Sequence, residues 1–387
     1  MKKALIAAGV LSAFAISAHA QSSVTLYGSL DAGIVYANNV GGHSLWAQGS
    51  GALSNNYFGF RGAEDLGGGL KAIFTLESGF NLNNGGYKNG DSGFNRQAWV
   101  GLQSDRFGTL TLGRQYDSMV DYLSPLSEAG AGFGNNLAGH PFDNDNLAQS
   151  YSIKNSVKYA SANYAGFQFG GLYGFSNDAS GFANGRAWSV GASYGNGPLN
   201  FAAAYSQQNN SGSLGAANSA ASADQNISAR LQRSFGAGVN YTFGPAQVGF
   251  VWTHSQIDGM QGLSSGGSAP LPGLSGLNLH VDNYEINGAY HLTPALAFVG
   301  SYTFTDGTVT GNGSNNSPKW HTVVVGTDYS LSKRTDVYLA GVYQHASGSL
   351  GYNADGSGIA NVAAINTLSP SSTNNQVAAT VGLRHRF

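Results

Sequence analysis

The chain has 387 residues and a formal net charge of −2, yet only 10% of its residues are charged, 57 are glycine, and tyrosine and phenylalanine number 20 each. A composition so rich in glycine and so poor in charge argues against a helical protein, and the near-neutral charge argues against a nucleic-acid partner. The sequence has no cysteine, so disulfides and thiolate chemistry are excluded. Aromatic residues beside Gly, Ser, Thr and Asn favour an all-β chain of strands and turns.

The first residues predict a secretory signal peptide. Lys2 and Lys3 precede an apolar run over residues 4–16, and the small residues of "AHA" follow it. The apolar run is shorter than the ~20 residues with which a helix spans a bilayer. We therefore expect residues 1–20 to be a leader that is removed on export, and residues 21–387 to form one β-barrel domain.

Beyond the leader, apolar and polar residues alternate with period two in one segment after another. The stretch "VDNYEINGAYH", for example, sets Tyr284 and Ile286 on one face and Glu285 on the other. Many such segments are about ten residues long and have aromatic residues at their ends, as bilayer-spanning strands do. Backbone groups in lipid must all be paired, so these strands must close into a barrel. The predicted strands cover residues 24–38, 54–63, 70–82, 94–103, 108–117, 155–162, 166–176, 186–195, 198–208, 233–243, 246–256, 280–292, 295–307, 319–330, 335–347 and 376–387.

The connections alternate between short turns and long loops, which is the pattern of outer-membrane barrels. The even number of strands places both ends of the chain on the periplasmic side. The third long loop covers residues 118–150 and carries several charges. The long loops are rich in Ser, Gly, Asn and Ala, and we expect them to be solvated surface loops.

Several motifs resemble the general porins of Gram-negative bacteria, in their beta-proteobacterial branch. They are "GFRGAEDLGGGLKA" (59–72), "RQAWVGL" (96–102), "FGTLTLGRQYD" (107–117) and "NSVKYASANYAGF" (155–167), together with the final Phe387. The resemblance covers essentially the whole mature chain. It implies a transmembrane antiparallel β-barrel of sixteen strands, a homotrimer without cofactors, and passive diffusion of ions and small hydrophilic solutes. It also implies that the third extracellular loop folds inward and forms a constriction.

The resemblance further implies partners in the outer membrane. These are the lipid and lipopolysaccharide around the barrel and the barrel assembly machinery, which recognises a terminal Phe on an alternating strand. In "QVAATVGLRHRF", Phe387 is therefore expected at the lipid-facing periplasmic rim, with Arg384 and Arg386 facing the lumen. The second long loop, around residues 83–93, is expected to latch onto a neighbouring protomer.

A pore selects ions by its width and by the charges that face each other across it. The candidates for a positive wall at the constriction are Arg61, Lys71, Arg96, Arg114, Lys154 and Lys158. The candidates for a negative third loop are Asp117, Asp121, Glu128, Asp143 and Asp145. Alternation directs four of the basic residues and Glu77 into the lumen. It is ambiguous for Arg96 and Arg114, which share faces with leucines, and the resemblance favours an inward direction for both.

Two positions depart from the family pattern. Tyr57 stands where members often carry Arg, and Ser152 stands near a position that is often basic. We therefore expect weak ion selectivity, less anion-preferring than that of the most anion-selective members. Asp143 and Asp145 have the spacing of calcium ligands but lack the glycine and the terminal glutamate of a calcium loop, so we predict no metal.

Two other functions stay open at this stage. An outer-membrane lipase would need Ser and His at the outer rim, facing lipid, and a surface adhesin or receptor would use the long loops. The long charged third loop favours a channel, because an adhesin barrel needs no inward constriction. We therefore predict a porin without enzymatic activity in the outer membrane of a Gram-negative bacterium.

Overall fold

The computed structural model describes residues 23–88, 92–131, 136–179, 181–211, 219–221, 225–265, 271, 273–311, 313–352 and 358–387. The predicted leader, residues 1–20, lies outside the described residues. Within the described ranges, no helix is long and apolar enough to cross a membrane.

The described chain is almost entirely β-structure. Its strands are β1 (Ser23–Val40), β2 (His43–Ser50), β3 (Tyr57–Gly67), β4 (Leu70–Gly79), β5 (Gln97–Ser104), β6 (Gly108–Gln115), β7 (Ile153–Ala160), β8 (Phe167–Gly174), β9 (Ala187–Asn196), β10 (Leu199–Asn209), β11 (Ile227–Phe243), β12 (Ala246–Leu263), β13 (Asn278–His291), β14 (Leu296–Gly311), β15 (Ser314–Asn316), β16 (Lys319–Ser330), β17 (Thr335–Ser347), β18 (Ser349–Tyr352), β19 (Gly358–Ala360) and β20 (Asn375–Arg386). In the described residues, all of these except β2, β15, β18 and β19 form one continuous wall.

The wall closes on itself. Each strand pairs antiparallel with its neighbour, and the pairing of β20 with β1 completes the cylinder, with His385 opposite Leu30. At this seam Gly28 exchanges two backbone hydrogen bonds of 3.1 Å with Phe387. A side chain at Gly28 would collide with the backbone carbonyl oxygen of Tyr57 as well as with the Phe387 ring, so this position requires glycine. The predicted closed barrel is confirmed, and each of the sixteen predicted strands overlaps one wall strand.

The two faces of the wall follow the predicted alternation. On β13, Tyr284, Ile286 and Tyr290 are exposed on the outer face, whereas Asn283 and Glu285 are buried inside. An apolar outer surface suits lipid, and the closed ladder of hydrogen bonds leaves no unpaired strand edge in the hydrocarbon.

Strand length varies around the barrel. β11 to β14 have 14 to 18 residues, whereas β5 to β8 have 8 each. The sequence predicts loop for residues 227–232, for residues 257–263 and for strand β2, and this prediction is wrong. These segments pair through their backbones at the extracellular end, where no lipid imposes an apolar outer face.

The extracellular mouth contains a hydrophobic core built from loops and strand ends. Its larger members are Phe142, Ile227, Ile257, Met260, Leu263, Leu274, Leu277, Leu279, Val281, Val309, Trp320 and Leu350, joined by Ala363 and Ala364 of the last long loop. Phe142 packs edge-on against Trp320 with 6.0 Å between ring centroids. The expectation that the long loops are solvated is therefore wrong for these segments, because their scattered apolar residues meet inside the mouth.

The third loop folds into the barrel, as the family resemblance implied. It forms a π-helical turn Met119–Leu123 and 3₁₀ turns Ser124–Leu126, Asn136–Ala138 and Pro141–Asp143. Met119 and Leu123 pack against Ala202 and Val251 on the inner wall. Burial of these apolar side chains stabilises the loop across the lumen.

Candidate pore constriction

The structure leaves a polar cavity of about 380 Å³ beside the third loop, which we call the eyelet cavity. It is lined by Ser50, Gly51, Asn55, Asn81, Lys88, Asn95, Arg96, Tyr116, Asn136, Ala148, Gln149, Ser150, Tyr151, Ser152, Asn226, Asn366 and Thr367. Lys88 and Arg96 are its cations, and none of the lining residues in the described chain is a carboxylate. Amide and hydroxyl groups dominate the surface, which suits water and hydrophilic solutes.

Arg96 faces the lumen and is held in place on several sides. Its Nε lies 2.5 Å from Glu77 Oε1, and its Nη2 donates to Gln149 Oε1 at 3.3 Å. The guanidinium lies 4.7 Å from the ring centroid of Tyr57 and 5.6 Å from that of Tyr116. Arg96 precedes β5, so the alternation of that strand does not apply to it. Because the Glu77 carboxylate is only 5% exposed beside it, the pair adds little net charge to the cavity.

The two positions that depart from the family pattern both contact a basic residue. Tyr57 lies against the guanidinium of Arg96, where a ring face attracts a cation. Ser152 accepts a hydrogen bond of 2.6 Å from Nε of Arg114, where the pairing of β6 with β7 shifts register. At both positions a neutral side chain positions a nearby arginine.

Of the six predicted wall residues, Arg96 lines the eyelet cavity and the other five are not part of its lining. Lys71 is next to the periplasmic turn, and its Nζ lies 3.8 Å from Asp105 Oδ1. Arg61 is exposed on the inner face of β3, and its guanidinium lies 5.1 Å from the ring centroid of Tyr27. These cations line other parts of the lumen.

The two lysines of β7 differ in their surroundings. Lys158 Nζ lies 2.5 Å from Asp121 Oδ2, so this pair joins the third loop to the wall and balances both charges. Near Lys154 the strand is irregular, because Asn155 has a φ of 49°. Ile153, next to Lys154, lies in a buried cluster of the inner wall. The alternation argument that directed Lys154 inward is therefore not valid.

Acidic side chains of the third loop stabilise the fold of the loop itself. Asp117 Oδ1 accepts hydrogen bonds from the backbone N–H groups of Met119 at 2.9 Å and Val120 at 3.2 Å. Asp143 accepts from the backbone of Ala148 at 2.9 Å. Burial raises the pKa of Asp117 and of Asp143 to about 6. Within the described ranges, no group of three His, Asp or Glu side chains is arranged to hold a metal ion.

A buried ion cluster, which we call the His140 anchor, fastens the third loop to the wall. It consists of His140, Asp145 and Glu285. The Nδ1 of His140 lies 2.6 Å from Asp145 Oδ2, and its Nε2 lies 3.1 Å from Glu285 Oε2 on β13. Burial alone lowers the pKa of His140, but the two carboxylates outweigh it and raise the pKa to about 10. At neutral pH the imidazolium therefore bridges two anions.

Glu128 is the second buried contact between the loop and Glu285. Its backbone N–H donates to Glu285 Oε1 at 2.8 Å, while its own side chain is 3% exposed. Burial, and then the Glu285 carboxylate, raise the pKa of Glu128 to about 8. Glu128 is therefore mainly neutral at neutral pH and adds little negative charge to the lumen.

The arginines near the end of the chain face inward, as the alternation predicted, but their charges are balanced. Arg384 Nη2 lies 2.7 Å from Asp328 Oδ2, and its Nε lies 2.9 Å from Asp336 Oδ1. Arg386 Nη1 lies 2.8 Å from Asp336 Oδ2. This group, which we call the seam cluster, lies where β20 joins the rest of the wall.

Sequence reasoning missed Lys88 as a lining residue. It considered residues 83–93 only as a latch on a neighbouring protomer, and the described part of this loop is also bonded to its own barrel. The backbone N–H of Lys88 donates to Gly79 O at 2.9 Å, and Asn83 Nδ2 donates to Gln48 O at 2.7 Å. The only signal in the sequence was a basic residue shortly before Arg96.

Histidines on the outer face provide a test of the lipase alternative. His254 Nδ1 lies 3.0 Å from Asp282 Oδ1, and His280 Nε2 lies 3.2 Å from Asp258 Oδ1. Neither histidine is hydrogen-bonded to a serine in the part of the chain that the structure describes. The stretch "GLSSG" has the spacing of a nucleophile motif, but the hydroxyl of Ser264 donates to a loop carbonyl at 3.2 Å.

The chain is similar in sequence and in fold to known outer-membrane porins. A family model described as Gram-negative porin matches residues 7–349. An outer membrane porin of Bordetella pertussis is 35% identical over 379 residues, covering 89% of this chain and 94% of the relative. Outer membrane porin protein 32 of Delftia acidovorans is 30% identical over 412 residues, with 100% of both chains covered. The structure of the anion-selective porin from Comamonas acidovorans aligns with a TM-score of 0.69 and 24% identity, over 95% of this chain and 100% of that chain.

Proposed function

Because the chain belongs to the Gram-negative porin family, we propose that the eyelet cavity is the constriction of its diffusion channel. The protein is an outer-membrane porin that forms a water-filled channel for passive diffusion of ions and small hydrophilic solutes. The observation that carries the assignment of the constriction is the third loop, which crosses the lumen beside a polar cavity of about 380 Å³. Its neutral polar lining and two cations suit solutes without strong charge discrimination.

The charges of the proposed constriction differ from those expected. We retain Arg96 and Arg114 as basic groups near the passage, and Tyr57 and Ser152 as the groups that position them. Lys158 and the loop carboxylates stabilise the position of the loop, mainly through buried contacts. The resulting channel has a weak preference for anions, in the same direction as the porin of Comamonas acidovorans, which is described as anion-selective.

Channel formation is the first expected result. Purified protein added to a planar bilayer should give stepwise, ohmic conductance, and liposomes that contain it should swell in small sugars but not in large ones. Diffusion of solutes through a wide aqueous lumen requires no energy source. Folded, membrane-inserted protein that gives no conductance steps would contradict the assignment.

The outer surface supports a homotrimer. From β8 to β17 the outer face carries exposed aromatic residues near strand ends, such as Tyr194, Tyr290 and Tyr329. On β1 and on β3 to β6 the exposed residues are mainly aliphatic, for example Val24 and Val100. Aromatic girdles belong to lipid–water interfaces, so the aliphatic face suits contact with another protomer. We propose that this face lies inside the trimer.

A carboxylate on the aliphatic face is expected to dissociate the trimer. Val100 on β5 and Val325 on β16 have nearly equal exposure, 59% and 61%, and both lie in mid-strand. V100D should convert the detergent-resistant trimer into monomers on unheated gels, while V325D should only lower its yield, since lipid-facing carboxylates are costly. Trimers that survive in V100D but are lost in V325D would place the contact on the opposite face.

We also propose that Phe387 contributes to assembly through its contact with Gly28 at the seam, and that the assembly machinery reads the apolar face of β20. Lipid and lipopolysaccharide are the expected neighbours of the girdled face from β8 to β17. These partners follow from membership of the family and from the distribution of aromatic side chains.

A further inference from the structure

Lys88 has a fixed position on the second loop, beside the eyelet cavity. Its backbone N–H donates to Gly79 O at 2.9 Å, and its carbonyl accepts from Asn95 Nδ2 at 2.6 Å. Its ammonium donates to Asn55 Oδ1 at 2.7 Å. The side chain is therefore held against a neutral amide, on a loop fastened to β4.

In the part of the chain that the structure describes, no carboxylate balances the charge of Lys88. Among the described residues, no carboxylate lies within ion-pair distance of its ammonium, and the other cation of the cavity, Arg96, is paired with Glu77 at 2.5 Å. A charge acts on permeating ions only where the pore is narrow, within a screening length of about 10 Å at 0.1 M salt. We propose, building on the assignment of the eyelet cavity as the constriction, that Lys88 is the residue that sets the charge preference of this pore.

The same position makes the charge preference depend on pH. Burial, and then the repulsion of Arg96, lower the pKa of Lys88 to about 8. The titratable groups that share the cavity are Arg96, Tyr116 and Tyr151, and the described lining residues include no carboxylate. Lys88 is charged below pH 8 and neutral above it, so the preference for anions falls as the pH rises through this value.

The test is the reversal potential in a KCl gradient, measured for reconstituted wild type and variants at pH values well below and well above 8. K88M should reduce the anion-to-cation permeability ratio about fourfold at the lower pH, because one charge at about 10 Å in water changes the occupancy of each ion about twofold in opposite directions. It should also abolish the pH dependence. K88R should keep the anion preference at both pH values, since arginine stays charged.

Two controls isolate this effect. Glu128 also has a pKa of about 8, so E128Q tests whether its ionisation causes the pH dependence. K333M removes a lysine from an exposed periplasmic turn and should leave the potential unchanged. The proposal is overturned if K88M has the wild-type potential at both pH values, or if the pH dependence disappears in E128Q and persists in K88M. Absence of channels in the wild type would instead refute the proposed function.

Discussion

H140A is expected to release the third loop from the inner wall of the barrel. His140 lies between the Asp145 and Glu285 carboxylates at 2.6 and 3.1 Å, and its side chain is only 1% exposed. Removing it leaves two anions buried without their cation, and breaking a buried pair in this way costs about 3–5 kcal/mol. The loop should become sensitive to protease, and channel currents should become larger and noisier.

The control for this prediction is H43A, which removes an exposed histidine from β2. It should leave conductance, noise and protease resistance unchanged. A loop in H140A that resists protease as in the wild type, with quiet channels of normal size, would show that the His140 anchor does not hold it. The double variant H140A/E285Q should recover part of the lost stability, because it removes one of the two unpaired charges.

The His140 anchor also depends on pH in a defined direction. The pKa of His140 is raised from 6.5 to about 10, so its contribution to stability is complete below pH 6.5 and is lost as the pH rises through 10. The pKa of Asp145 is lowered from 3.8, so its contribution is complete above that value and is lost on acidification below it. The pKa of Glu128 is raised from 4.5 to about 8, so ionisation of Glu128 weakens the contact as the pH rises through 8. Protease sensitivity of the loop should therefore increase on both sides of neutral pH, and E128Q should suppress the increase near pH 8.

R384M is expected to impair closure of the barrel. The Arg384 side chain is 2% exposed and bridges Asp328 on β16 and Asp336 on β17. Its removal leaves Asp328 without a partner among the described residues and leaves Asp336 with the exposed Arg386 alone. Loss of one member of such a buried cluster costs about 3–5 kcal/mol. The temperature at which the folded form converts to the unfolded form on detergent gels should drop markedly, and the yield of assembled protein should fall.

R386M provides the matched comparison for the seam cluster. The side chain of Arg386 is 41% exposed and contacts the same Asp336. An exposed ion pair contributes only about 0–1 kcal/mol, so R386M should assemble and melt almost as the wild type does. If R384M and R386M assembled and melted alike, the contribution of the seam cluster to stability would not come from its burial.

The strands were predictable from the sequence because lipid imposes a simple rule on them. A residue that faces hydrocarbon must be apolar, so Tyr284 and Ile286 alternate with Glu285. For β16 and β17 the same rule predicts the first and last residues that the structure shows. Beyond the membrane this rule ends. Residues 227–232 of β11 also alternate, but Ile227 and Ala229 are buried in the core of the mouth rather than exposed to lipid. The sequence predicts loop for this extension and for strand β2.

The site was only partly predictable, since alternation states which side of the wall a residue faces but not what it meets there. Arg61 and Lys158 face inward as predicted, yet one lies against Tyr27 and the other is paired with Asp121. Alternation does not apply at Lys154, because a left-handed residue at Asn155 interrupts the strand. At Arg96 it did not apply, because the residue precedes its strand.

The sequence by itself determined that this chain is an outer-membrane barrel with a long third loop, because the periodicity of the strands and the lengths of the loops are local properties. Only the tertiary structure decided which charges reach the solute. His140 and Glu285 are 145 positions apart, and Arg96 and Glu77 are 19 apart, so no local pattern reveals that they neutralise one another. The fold buries most of the acidic side chains of the loop and brings Lys88 into the passage, because ion pairs form wherever folding brings opposite charges into the same low-dielectric space.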